Sequence, residues 1–240
     1  LGLTVPGQVG GLREKSALFI TDAPRPPATL ARTTVKNGEF ILQGHVAEPN
    51  LYELNFGGVE KKTVLFIGNE NIQVKGSSAD LAALKVTGSS SHDDFLEFQR
   101  TFNPYFARLN ALSKLANSPE GVSKRDSISE AYSGIAVVVE SKIDSFISRK
   151  SSSYVSPFVL VVTHQLSDDP LLLERRYKSL SPLVQGSMYG KYLNEQIETG
   201  KIGAVGTDAI DFTQNDTAGN PVSLSSYRGK YVLVDFWASW

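Results

Sequence analysis

Lys230-Tyr-Val-Leu-Val-Asp-Phe-Trp-Ala-Ser-Trp240 is the stretch that decides how the rest of the chain is read. Tyr231 to Phe236 is a short run of β-branched and aromatic residues, opened by Arg228-Gly229-Lys230. Such a run predicts a strand buried on both faces, as inside a parallel sheet. Asp235 falls within it, where a carboxylate is costly to bury without a partner or a task. Taken alone, Asp235 reads as a satisfied core carboxylate on an ordinary strand.

The residues just upstream add to the pattern. Asp216-Thr-Ala-Gly-Asn220 is a turn cluster in which Gly219 is available for positive φ. It separates two extended segments, as a hairpin does. Val205-Gly206, Ala209-Ile-Asp-Phe212, Val222-Ser-Leu224 and Tyr227-Arg-Gly-Lys230 surround it. With Val234-Asp-Phe-Trp-Ala-Ser-Trp240 these residues resemble the entry to thioredoxin-like thiol-disulfide oxidoreductases of the TlpA/ResA type, from Ile202 to Trp240. That family has Pro where this chain has Ile210. Peroxiredoxins share the Asp-Phe, Val-x-Leu and Gly-Lys features. They carry a Pro and a Thr before their Cys, which Ala238-Ser239-Trp240 does not, so a peroxidase is the lesser alternative.

The resemblance implies a mechanism. In the family this strand leads into Trp-Cys-x-x-Cys, so the resemblance implies a chain truncated just before the dithiol. The first Cys attacks a substrate disulfide as thiolate, activated at a helix N-terminus, and the second resolves the mixed disulfide. Asp235 matches the family's buried acid, the proton acceptor for the resolving Cys. Trp237 and Trp240 match the substrate groove. Implied partners are protein disulfide or thiol substrates and an upstream reductant, with no cofactor. Severing the fold here would leave the 231–236 strand without its neighbours. The expectation is therefore that it packs on the helical region or pairs with a second copy in a homodimer.

Composition sets wider bounds. The chain has 240 residues, 41% of them hydrophobic, and a net charge of −1. That suits one large or two ordinary domains and gives no support for a nucleic-acid partner. No apolar run approaches the roughly 18 residues of a membrane span. Leu1-Gly-Leu-Thr-Val-Pro6 has neither the charged nor the apolar region of a signal peptide, as in an envelope protein whose signal is removed. With no Cys, these residues hold no disulfide, thiolate metal site or thiol chemistry.

Residues 1–88 read as all-β, an antiparallel sandwich or open barrel. Ala17-Leu-Phe-Ile20, Glu39-Phe-Ile-Leu42, Leu51-Tyr-Glu-Leu-Asn-Phe56, Thr63-Val-Leu-Phe-Ile67 and Ile72-Gln-Val74 are short runs separated by turn residues. Asn37-Gly38 is a two-residue hairpin signal, and Pro24, Pro26 and Pro27 mark a loop or edge. Val35-Lys-Asn-Gly-Glu-Phe40, Gly44, Glu48-Pro-Asn-Leu-Tyr52 and Val86-Thr-Gly-Ser89 resemble a β domain that precedes the thioredoxin module in some Gram-negative envelope reductases. Its role in that family is not established.

Residues 89–200 read as helical. Phe95, Phe98, Phe102, Phe106 and Leu109 form one apolar face, read as core, with Ser91 and Asp94 as a cap and Pro104 as a kink or break. Ile128, Tyr132, Ile135, Val139, Ile143 and Phe146 give a second helix. Ser156-Pro157 and Asp169-Pro170 predict two more starts. A last helix is expected from Pro182 to Thr199, stopped by Gly200. Residues 201–240 then open the thioredoxin-like module.

Other chemistry has little footing. His45, His92 and His164 lie far apart, so no metal site is expected. No phosphate-binding glycine motif occurs. Asp93-Asp94 and Asp168-Asp169 read as helix caps, and Lys61-Lys62 and Arg175-Arg176 as solvated faces. The reading is an α+β chain with three parts: a β-sandwich, a helical region and the opening strands of a thioredoxin-like α/β module. The function expected is that of an envelope or periplasmic thiol-disulfide oxidoreductase, compatible with a membrane anchor through a removed N-terminal signal. The 240 residues themselves would be inactive. The alternative is a non-catalytic binding or assembly module.

Overall fold

The computed structural model describes residues 2–12, 14, 17–22, 28–57, 59, 61–167 and 169–237. The expected loop at Pro24, Pro26 and Pro27, the cap at Asp168 and the groove residue Trp240 lie outside these. The chain opens with β1 (Leu3–Gly10), β2 (Ala17–Asp22), β3 (Thr29–Thr34), β4 (Glu39–Gly44), β5 (Asn50–Phe56), β6 (Lys62–Ile67), β7 (Gln73–Ser77) and β8 (Lys85–Thr87). They form two four-stranded sheets, ordered β4-β1-β7-β8 and β3-β2-β5-β6. Alternate residues of both sheets, among them Val5, Leu42, Leu54, Leu65 and Val74, meet in one buried core.

The expectation of an antiparallel arrangement is corrected at one pair. β1 and β7 run parallel, Gly7 opposite Val74 and Gly10 opposite Ser77. β7 reaches β1 from the other sheet, so no hairpin imposes an antiparallel direction. β1 also lacked a sequence signal, because Pro6 and Gly7 interrupt its alternation. Gly7 is used for close packing: a Cβ there would come 2.1 Å from the Phe40 ring. The Asn37-Gly38 turn forms as read, with φ of 55° and 76° and reciprocal backbone bonds between Lys36 and Glu39.

The helical region comprises α1 (Ser90–Ala116), α2 (Arg125–Arg149), α3 (Val155–Thr163), α4 (Pro170–Lys178), α5 (Pro182–Gln185) and α6 (Met188–Gly200). Phe95, Phe98, Phe102, Ile135, Val139, Ile143 and Phe146 are buried together, whereas Tyr132 is exposed and Phe106 half-buried. Several boundary expectations change. Ser89, not Ser91, caps α1 by accepting the His92 N–H at 3.2 Å. α1 continues through Pro104, whose exposed position leaves the freed carbonyl open to water. Asp94 is an ion-pair partner of Lys150 at 2.6 Å, not a cap. Ser156 lies inside α3 and donates to the Lys150 carbonyl at 2.6 Å. Asp169 does cap α4, accepting from Leu171 and Leu172. The last helix is divided at Gly186-Ser187, where the Ser187 hydroxyl caps α6. Arg176 is not solvated: its side chain is largely covered and binds Asp144 at 2.7 Å.

The sheets and helices interlock. Phe66, on β6, is fully buried in the helical cluster rather than in the sheet core. Its ring stands 5.9 Å from Phe95 and 6.0 Å from Phe158. Glu48 of the β region accepts the N–H of Met188 at 2.7 Å, covering an orphan donor at the start of α6.

Candidate functional site

The last part of the described chain holds the candidate residues. β9 (Thr213–Asn215) and β10 (Pro221–Ser223) form the expected hairpin. Its turn is built by Asp216, whose carboxylate accepts the N–H groups of Ala218 at 2.9 Å and Asn220 at 2.8 Å, with Gly219 at φ 86°. These bonds, led by those from Asn220, hold the Asp216 carboxyl below its ordinary range. Leu224–Tyr227 then make one tight turn. Its Ser225 N–H donates to Asp211 at 2.8 Å, and bonds from Ser225 lower that carboxyl also. Gly229 turns the chain at φ 81°, and Lys230 N–H donates to the Tyr227 carbonyl at 3.1 Å.

Residues 231–237 follow without strand pairing. This corrects the expectation of a strand buried on both faces. Tyr231, Leu233, Phe236 and Trp237 are exposed at 109%, 94%, 85% and 81%, while Val232 and Val234 are exposed at 43% and 40%. The alternation leaves the period of a strand visible. Val232 and Val234 share an open groove of about 480 Å³ with Phe212, Val222, Leu224 and Tyr227. Phe236 stands 6.3 Å from Phe212. Among the described residues the tail's partial cover thus comes from its own hairpin and not from the helical region. A strand can be buried on both faces only if neighbours close both edges, and no described residue does so.

Asp235 is exposed on this segment and makes no hydrogen bond or ion pair among the described residues. The expected setting of a buried acid is therefore not present around it. Trp237 is exposed two residues on. The motif reading overlooked what lines the second side of the segment, where Asp211, Arg228 and Lys230 border a groove with Val232 and Val234. The Asp-Phe and Arg-Gly-Lys motifs were the signal for these residues.

The end of the chain is similar to the AhpC/TSA family. That family's model matches residues 205–240. A domain of unknown function, DUF4369, matches residues 3–95. No curated protein and no solved structure matches the chain. The first match supports a thioredoxin-like redox role for the C-terminal segment, and the second coincides with the sheets and the first turn of α1. Elsewhere the histidines have separate surroundings. His45 is exposed, His164 Nδ1 lies 2.7 Å from the Val161 carbonyl, and His92 is buried. Among the described residues no group of three His, Asp or Glu side chains could hold a metal ion, and no helix is long and apolar enough to cross a membrane.

Proposed function

We propose that the chain contributes to an envelope thiol-disulfide oxidoreductase of the TlpA/ResA type. Residues 1–88 and 89–200 form the β and helical parts, and 201–240 open a thioredoxin-like module. The dithiol lies beyond Trp240 in this reading. Its first Cys, as thiolate, attacks a substrate disulfide and releases one substrate thiol. The second Cys breaks the resulting mixed disulfide, releasing the other, and Asp235 takes its proton. An upstream reductant restores the dithiol. Trp237 and Trp240 border the substrate groove.

The observation that carries this reading is the uncovered segment from Tyr231 to Phe236, apolar at five of six positions and matching the AhpC/TSA family. Neighbouring strands supplied by the rest of a thioredoxin-like sheet would bury it, and Asp235 with it. The test compares insulin reduction by the 240-residue chain with that by the same chain extended through a complete thioredoxin-like module. Turnover is expected only from the extended protein. Turnover by the 240-residue chain, or none by the extended one, refutes the proposal.

A second reading is favoured by the two closed cores upstream of residue 200, which involve no residue of the tail. In it the β and helical parts form a non-catalytic binding or assembly module. A parent gene with a stop codon directly after Trp240 selects that reading; a Cys-x-x-Cys selects the first.

A further inference from the structure

The seam between the sheets and the helices is fastened at one point by an imidazole. β6 is the edge of its sheet, so one side of its backbone has no strand partner. At Phe66 that position is closed from α1: the Phe66 N–H donates to His92 Nδ1 at 3.3 Å. His92 is 4% exposed, and its ring lies 6.2 Å from that of Phe95, itself packed on Phe66. Accepting at Nδ1 places the ring hydrogen on Nε2. A proton added at Nδ1 would set one donor against another.

We propose that His92 is an acid-sensitive latch, whose protonation at Nδ1 releases the first turn of α1 from the edge strand β6. Among the charged groups around it, Glu70 after β6 borders a groove with Ser90, Ser91 and Asp94 at the start of α1 but forms no hydrogen bond to His92. Asp93, its neighbour on α1, favours the imidazolium, but burial outweighs it and holds the group below its ordinary 6.5. Asp94 and Glu97 on α1 are occupied by Lys150 and Arg149 from the end of α2. α3 carries no ionisable side chain, Lys85 on β8 is exposed, and Lys62 on β6 is paired with Glu53. Because the folded value is the lower one, the latch is fully closed above pH 6.5 and weakens as pH falls below it, levelling once the folded value is passed.

Amide exchange of the 240-residue chain, expressed as protection factors, tests the latch. From about pH 7.5 to about pH 5 the Phe66 amide should lose on the order of tenfold in protection while the Leu54 amide keeps its own. His92→Asn, which keeps an acceptor at the same reach without a titrating proton, should remove the pH dependence. In the native chain the imidazole of His92 should titrate below its ordinary 6.5, a measurement that holds even if the variant fails to fold. Equal Phe66 protection at both pH values, an equal loss at Leu54, a pH dependence surviving in His92→Asn, or His92 titrating at or above 6.5 overturns the proposal.

Discussion

Phe66→Ala should cost the helices more than it costs the sheet that carries the residue. Phe66 is fully buried, and its ring packs on Phe95 of α1 and Phe158 of α3. Truncation leaves a cavity between these rings, and Phe→Ala in such a site costs about 3–5 kcal/mol. That is a large part of the roughly 5–15 kcal/mol by which a domain is stable. Ile41→Ala on β4, a residue 59% exposed, provides the contrast, with an expected change within about 0.5 kcal/mol. Urea unfolding followed by circular dichroism at a helical wavelength is the suitable assay. Trp fluorescence would report on the tail, since Trp237 is exposed and belongs to neither core. The helical transition should move to lower urea with an unchanged slope. A shift of less than about 1 kcal/mol in Phe66→Ala would show that the seam does not support the helices, and the interlocking argued from Phe66 would fail.

Two further outcomes follow from other parts of the chain. Gly7→Ala places a Cβ 2.1 Å from the Phe40 ring, which is buried and cannot swing clear, so a loss of about 1–3 kcal/mol in urea unfolding is expected; a neutral variant would mean that Phe40 does not rest on β1. The hairpin turn at Asp216 should hold fully above the carboxyl's ordinary 3.8 and be lost as pH falls through its lower folded value, because only the ionised form accepts all its bonds; the Ala218 and Asn220 amide shifts should therefore titrate below 3.8, and a midpoint at or above it refutes the reading.

What was legible in the sequence was local. Asn37-Gly38 has to turn because both residues accept positive φ, and the phenylalanine stripe of α1 has to face a core because its spacing is helical. The hairpin at Asp216–Asn220 was legible for the same reason. What escaped depends on partners distant in the chain. β1 is a strand because β4 and β7 flank it, although Pro6 and Gly7 obscure its pattern. Arg176 is held by Asp144, which is 32 residues away. His92 read as an ordinary histidine because nothing near it in sequence reveals the unpaired Phe66 N–H, 26 residues upstream. Ser91 looked like the cap of α1, but Ser89 offers the same hydroxyl one turn before His92 and takes its N–H instead.

In the proposed reading the C-terminal segment carries a motif whose covering strands lie outside these residues. Its residues identify a strand type that works only when both faces are covered, so the same side chains that make the motif recognisable make the segment costly by itself. Leu233 and Phe236 are nearly fully exposed, and burying each would gain about 1.5–3 kcal/mol. Val232 and Val234 already have part of this gain from Phe212, Leu224 and Tyr227. The hairpin therefore supplies a platform for one face, and in the proposed reading further strands would cover the other face and both edges. Asp235 shares that dependence. Asp235 is exposed on the same segment, so the role proposed for it depends on the same further strands that would cover Leu233 and Phe236.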